Sequence, residues 1–252
     1  MKDTLRAEWS KMWSDSSTRW LLTGLIIATV AVAIPTALVT KCPSAGCVQD
    51  PAKLSLNGVF LGQIIAAVAG VLAIGNEYGT GMIGVSLTAT PRRLRLLTAK
   101  ALALAGPMLL ASALAAVVSM LAGWLILPGH GFTAFDPGNA ADWRASLGAA
   151  IYLTLIALLA LGVTTVVRDS AVAIGVVLGL LFLFPILISG VSSRTLIRHL
   201  EQINPLLAGQ DILTTTGLTS LPLSPWPALG VVALWAAGAL LLGALVFRRR
   251  DA

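Results

Sequence analysis

Six long apolar stretches constrain this chain more than any other feature of its sequence. They cover residues 20–39, 54–74, 101–127, 147–167, 171–188 and 228–247. A helix needs about 20 apolar residues to cross the hydrocarbon core of a bilayer, so each stretch is long enough to span a membrane. None alternates in polarity as the strands of a membrane barrel do. The sequence therefore predicts an all-α polytopic integral membrane protein with about six transmembrane helices.

The composition leaves no room for a separate soluble domain. Of the 252 residues, 57% are hydrophobic and 11% are charged, whereas roughly 25% of the residues in a soluble domain are charged. No long polar stretch interrupts the apolar ones. We therefore expect a single transmembrane domain over residues 1–252.

The basic residues predict the orientation of the chain. A cytoplasmic amino terminus puts both termini and twelve of the 17 Lys and Arg residues inside. These twelve are Lys2, Arg6, Lys11, Arg19, Arg92, Arg93, Arg95, Lys100, Arg168, Arg248, Arg249 and Arg250. Because cytoplasmic loops carry an excess of Lys and Arg, both termini are predicted to be cytoplasmic. The net charge of +6 then reflects topology, and no basic face interleaved with aromatic residues indicates a nucleic-acid partner.

Residues 1–19 are predicted to form an amphipathic helix at the inner membrane interface. Leu5, Trp9, Met12 and Trp13 recur at helical spacing and share one face of such a helix. Indole rings suit the headgroup region of a bilayer, which favours a helix that lies along the surface. A frayed polar tail is the alternative interpretation.

The only two cysteines, Cys42 and Cys47, lie in the first outer loop. Their proximity on the oxidising side of the membrane predicts a disulfide between them. A zinc site would need more ligands, and the only histidines, His130 and His199, belong to other loops. We therefore expect no metal site.

The sequence contains no recognisable catalytic constellation. It lacks the phosphate-binding pattern GxxxxGK[ST] and the patterns HExxH and GxSxG. All eleven acidic residues lie at or beyond the ends of the predicted spans. Because an ion-coupled carrier usually holds an ionisable group within a span, we expect no buried charge here and no catalytic residue. Energy for any transport would come from another subunit.

Small residues recur every four positions in two of the predicted spans. They are Gly58, Gly62, Ala66 and Gly70 in the second span, and Gly175 and Gly179 in the fifth. Such rows let helix backbones approach closely in lipid, so they are candidate packing surfaces. The contacts could lie within the chain or at a subunit interface, and chance recurrence is a further alternative in a chain rich in Gly and Ala.

The inner connection over residues 75–95 is the most distinctive stretch. It contains Glu77, Tyr78, Gly79 and Thr80 and, after a short segment that could be helical, Pro91, Arg92 and Arg93. An ordinary positive-inside loop is one interpretation. The stretch also resembles the signature of ABC-2 type transporter permeases, particularly the short six-span bacterial kind. In that family the motif begins with an acidic residue followed by Tyr, Gly and Thr. A coupling helix comes next, and a cluster of Thr, Pro and Arg follows the helix.

Other parts of the chain are also similar to that family. Glu8 and Lys11 resemble its prefix, the basic carboxyl end resembles its usual finish, and Asn204 and Pro205 resemble a feature of its last outer segment. The resemblance implies a permease subunit of an exporter in the bacterial cytoplasmic membrane. Such a subunit pairs with an identical or related second subunit and docks on two copies of an ABC ATPase through the coupling loop.

The resemblance also implies that the chain binds no cofactor, because ATP and Mg²⁺ would sit on the ATPase. The apolar spans suit a hydrophobic or amphipathic cargo, such as a drug, lipid, peptide or lipid-linked sugar. The outer segment 189–226 would form part of the outward gate, or else a loop that covers the bundle. A membrane-embedded enzyme and a non-transporting anchor, immunity or sensory protein are the alternatives from other classes.

Overall fold

The computed structural model describes residues 2–42, 49–84, 93–132, 139–190 and 193–249. Within these ranges the chain folds into helices joined by short connections, and no strand is present. Six helices are long and apolar enough to cross a membrane. The predicted all-α polytopic membrane architecture is confirmed.

The helices follow one another in a simple order. We label them α1 Lys2–Ser14, α2 Ser16–Val39, α3 Pro51–Ser55, α4 Val59–Gly79, α5 Arg93–Ile126, α6 Ala140–Val167, α7 Ser170–Ser189, α8 Arg194–Ile203, α9 Pro205–Asp211 and α10 Pro225–Arg249. Helix α7 contains a π-helical turn, Gly179–Leu183, before Pro185. Because proline cannot donate a backbone hydrogen bond to the preceding turn, the regular series of helical hydrogen bonds is interrupted there.

Helix α6 occupies the centre of the bundle. It packs against α4, α5 and α10. Of its most apolar 18-residue segment, 67% is buried, compared with 22% for the corresponding segments of α2, α7 and α10. The close approach of α4 to α6 depends on Gly70, where a Cβ atom would overlap the carbonyl oxygen of Ala157. Gly162 permits the same closeness between α6 and the backbone of α10 at Ala239.

The second span begins later than predicted. Pro51–Ser55 forms a separate short helix, and α4 starts only at Val59, after a turn at residues 56–58. Asp50 caps the short helix by accepting from the backbone N–H groups of Ala52 and Lys53. The predicted boundaries failed here because a proline and a capping acid define a helix start that apolarity alone does not show.

Contacts between the spans separate two ends of the bundle. At the end that we call proximal, Arg93 of α5 donates a hydrogen bond of 2.9 Å to the carbonyl of Phe247, near the end of α10. Helix α1 also lies here, against α5. At the opposite, distal end, Asp50 accepts hydrogen bonds from Thr215 and Thr216. Helix α1 and the end of α10 therefore belong to one end of the bundle.

The predicted packing residues fall into two groups. Gly58, Gly62, Ala66 and Gly70 lie in α4 or at its start, and all four are buried within the chain. Gly58 and Gly62 approach Thr29 of α2 so closely that a Cβ atom at either position would overlap it. By contrast, a Cβ atom at Gly175 or Gly179 of α7 would have no neighbour within 4 Å among the described residues.

Candidate functional site

Helix α1 brings polar side chains to the proximal end of the bundle. It spans Lys2–Ser14, so residues 16–19 of the predicted interfacial helix belong to α2 instead. Trp9 and Trp13 stack at a tilt with ring centroids 6.0 Å apart, and both are more than 40% exposed. Glu8 faces the opposite way, into the bundle, and is 7% exposed. The exposed indoles suit a lipid interface.

A buried ion-pair cluster joins three helices at this end. Lys100 of α5 is 3% exposed, and its ammonium nitrogen lies 2.7 Å from Oε2 of Glu8 and 2.6 Å from Oε1 of Glu77. Lys11 of α1 also donates to Oε1 of Glu77. We call these four residues, Glu8, Lys11, Glu77 and Lys100, the charge cluster. It links α1, α4 and α5.

The expectation that no charge is buried in a span is wrong. Helix α4 continues to Gly79 and α5 begins at Arg93, so Glu77 and Lys100 both lie within helices of the spanning set. Removing either partner of a buried pair strands the other charge, which costs about 3 to 5 kcal/mol. The opposite charges therefore explain how these groups can be buried together.

The first turn after α4 is compact. Thr80 caps the helix, with its hydroxyl donating to the carbonyl of Asn76 at 2.7 Å. Gly79 is helical, and the left-handed residue that reverses the chain is Gly81, at φ 70°. Met82 is 48% exposed, whereas Ile83 is 7% exposed. The turn thus presents Met82 at the surface and anchors itself through Ile83.

The remaining residues of the predicted coupling stretch lie in different settings. The Tyr78 ring packs under the guanidinium of Arg168, whose central carbon lies 5.9 Å from the ring centroid. Arg93 binds the end of α10, as described above. Pro91 and Arg92 lie outside the described residues. The structure therefore brings Glu77 together with Glu8 and Lys11, three residues that were predicted in two separate groups.

Lys100 is the residue of this site that the sequence did not reveal. It was counted only as a basic residue that flanks a span. Its helical register offers a signal, because Leu96, Lys100, Leu104 and Met108 repeat every four residues and all are buried. A lysine in the buried row of a helix requires a counterion, and this requirement indicates an ion pair.

The distal end is also held by polar contacts. Asp50 is 8% exposed and accepts from the Thr215 hydroxyl at 2.7 Å. Asn204 is fully buried and caps α9 by accepting from the Leu206 and Leu207 N–H groups. The Trp235 indole of α10 donates to the carbonyl of Ile203 at 2.8 Å. The Trp235 contact attaches the predicted outer segment to α10, and the Asp50 contact attaches it to the start of α3.

Cysteine and metal chemistry add little to this picture. Cys42 is disulfide-bonded, and its predicted partner Cys47 lies outside the described residues. The backbone N–H of Cys42 donates to the carbonyl of His130 at 3.0 Å. Among the described residues, no group of three or more His, Cys, Asp or Glu side chains could hold a metal ion.

The charge cluster is thus the principal polar feature of the proximal end. It lies where α4 leaves the bundle for the distinctive stretch that begins at Glu77. Such a cluster can hold three helices in register and pass a displacement of one to the other two. In comparisons with known proteins, no family model matches the chain and no curated protein is similar to it in sequence.

Proposed function

We propose that this chain is the membrane-spanning permease subunit of an ATP-driven ABC exporter of the ABC-2 type. The observation that carries the proposal is the position of the charge cluster. Glu77, the first residue of the Glu-Tyr-Gly-Thr sequence, is held by Lys100 of α5 and Lys11 of α1. A force applied to the turn after α4 would therefore reach three helices together, as ATP-driven coupling requires.

The architecture supports the proposal in a second way. Six spanning helices with α1 and the end of α10 at one end are compatible with a half-transporter. The positive-inside rule would place the proximal end in the cytoplasm, where a soluble ATPase could reach the turn. The proposed membrane is the bacterial cytoplasmic membrane. Two ATPase copies would bind ATP and Mg²⁺, and a second permease subunit, identical or related, would complete the pathway.

The cargo that we propose is hydrophobic or amphipathic. Leu, Val, Ala and Gly dominate the spans, and the buried Glu8, Glu77 and Lys100 are paired with one another at the proximal end. A drug, a lipid, a peptide or a lipid-linked sugar would fit such surroundings. Export is the direction that the resemblance implies.

The test uses the exposed methionine of the turn. The chain is co-expressed with an ATPase subunit encoded by a neighbouring gene, and the two are purified in a mild detergent. We expect Met82→Glu to lower recovery of the ATPase and ATP-dependent efflux from vesicles, because a charge would replace an apolar contact. The control is Leu218→Glu, which alters a residue of similar exposure in the distal segment.

The outcomes separate the proposal from its main alternative. A permease loses ATPase recovery with Met82→Glu and keeps it with Leu218→Glu. If the parent chain, at normal membrane levels, neither retains such an ATPase nor supports ATP-dependent efflux, the exporter proposal is wrong. A non-transporting anchor, immunity or sensory protein would then be favoured.

A further inference from the structure

A cavity adjoins the charge cluster, between α1, α2, α4 and α5. Its volume is 80 Å³, enough for several water-sized groups, since one water needs about 10 to 15 Å³ by this measure. The polar part of its wall consists of Glu8, Lys11, Asp15, Ser17, Thr18, Asn76, Glu77 and Lys100. The cavity is therefore a polar recess beside the ends of the spanning helices.

One atom in the cavity wall is left without a partner. Lys11 and Lys100 both approach Oε1 of Glu77, whereas Oε2 of the same carboxylate is buried and accepts no hydrogen bond within the described part of the chain. Glu77 as a whole is 5% exposed. A buried carboxylate oxygen without a donor is costly, so the site favours a ligand that donates a hydrogen bond.

The charge of the wall selects the sign of that ligand. The wall holds three carboxylates, of Glu8, Asp15 and Glu77, and two ammonium groups, of Lys11 and Lys100, which leaves one negative charge in excess. Glu77 also lies in the last turn of α4, where unpaired carbonyl groups add partial negative charge. A cation is therefore favoured over an anion.

The rest of the wall is apolar and favours a ligand with an apolar part. Leu72, Ala73, Leu104, Pro107 and Met108 line the side that faces the interior of the bundle. An inorganic cation would gain nothing from these residues, and the described chain offers no metal-binding group. An alkyl chain attached to an ammonium group would contact both parts of the wall.

We propose that this cavity binds the ammonium head of an amphipathic amine, with Oε2 of Glu77 accepting its hydrogen bond and the alkyl chain lying against Leu104 and Met108. Binding itself depends only on the cavity. That the bound amine belongs to the cargo class, taken up next to the coupling turn, rests on the proposed function. The site would then sense cargo through the same carboxylate that joins α1, α4 and α5.

The test measures binding to the full chain in nanodiscs without any ATPase. Equilibrium dialysis of labelled n-octylammonium, corrected with empty nanodiscs, gives the affinity, and n-octanol and octanoate serve as matched neutral and anionic probes. We expect saturable binding of the amine and no saturable binding of the other two. Glu77→Gln should weaken amine binding by about tenfold or more, as expected for a lost hydrogen bond to a charged group.

A second pair of variants guards against misfolding of Glu77→Gln. Ala73→Phe fills the cavity without altering its charges, and Val68→Phe adds the same ring to a half-buried position of α4 outside the cavity wall. Ala73→Phe should abolish saturable binding, and Val68→Phe should preserve it. Equal binding by both variants, or binding of octanol as tight as that of the amine, would overturn the site.

The result can also be read independently of the exporter proposal. Amine binding by the isolated chain, together with failure of ATPase recovery, would leave the site standing and remove the exporter function. Efflux of a neutral lipid but not of an amine would show that the cavity does not select cargo. Loss of both binding and ATPase recovery would overturn each proposal separately.

Discussion

Single buried charges in this protein differ in how completely they are compensated. Lys100 has carboxylates on two sides, so its burial is balanced by direct ion pairs. Asp211, at the end of α9, is partly buried, and within the described part of the chain no direct ion pair balances it. The pKa of Asp211 is raised to about 6, mainly because the carboxyl is buried; Lys53 opposes this shift and Glu201 adds to it. The ionised form of Asp211 therefore destabilises the distal end.

The raised pKa of Asp211 predicts that stability depends on pH. The folded chain holds this proton more tightly than the unfolded chain, whose Asp has its ordinary pKa of 3.8. The contribution to stability is then greatest below pH 3.8 and is lost as the pH rises through about 6. We expect Asp211→Asn to raise the thermal unfolding temperature at pH 7.5 and to have little effect near pH 4.

The control for Asp211 is Asp3→Asn, which removes an exposed acid of α1. Thermal unfolding of the parent and both variants is measured in one detergent between pH 4 and 7.5. An Asp211→Asn chain that is no more stable than the parent at pH 7.5 would contradict the assignment. Equal shifts in both variants would indicate an effect of net charge instead.

Lys100 shows what could and could not be predicted from sequence at the residue scale. Glu77 was identified from its neighbours in the chain, and Glu8 and Lys11 from their place before the first span. Their meeting with Lys100 in one cluster depends on how α1 packs against α5, and the sequence alone does not specify the angle between these helices. A lysine beside an apolar run also satisfies the positive-inside rule, so the predicted topology accounted for Lys100 without requiring its burial.

Among the elements, α4 and α7 carry rows of small residues in two different settings. Rows of small residues are visible in sequence, but the sequence does not show which rows face another helix of the same chain. Gly70 of α4 lies against α6, whereas Gly175 and Gly179 of α7 have open space beside them. The rows were predicted as packing surfaces together, and only the structure separates the two settings.

This difference predicts opposite outcomes for two matched substitutions. Gly70→Ala should destabilise the chain, because the new Cβ would overlap the carbonyl of Ala157 and force α4 away from α6. Overpacking of this kind typically costs about 1 to 3 kcal/mol. Gly175→Ala should leave monomer stability unchanged or slightly raised. Thermal unfolding in detergent measures both, and a Gly70→Ala chain as stable as Gly175→Ala would contradict the packing.

At the scale of the whole molecule, most of the architecture could be predicted. The number and helical nature of the spans follow from length and apolarity, which depend on local composition. The short helix α3 and the π-helical turn in α7 were not predicted, because apolarity does not show a capping acid or the effect of a proline. The order of packing around α6 could not be predicted, since it depends on contacts between distant residues. The orientation of the chain in the membrane is predicted from the unequal distribution of Lys and Arg between the two sides.

The orientation can be tested with single cysteines. In a chain with Cys42 and Cys47 replaced by Ser, one cysteine is introduced at Met82 and, in a separate variant, at Leu218. Both positions are exposed and lie at opposite ends of the bundle. An impermeant maleimide added to intact cells should label the Leu218 position, and the Met82 position only after lysis. The reverse pattern would place the proximal end outside.

The junction between α6 and α7 has a consequence for how the protein is made. Helix α6 ends at Val167, Arg168 adopts the left-handed conformation at φ 64°, and Asp169 already caps α7 by accepting from the Val172 N–H. Two residues reach at most about 7 Å, far less than the thickness of a bilayer. Once both helices have formed during synthesis, the start of α7 therefore stays within about 7 Å of the end of α6, so the two spans enter their final packing as neighbours.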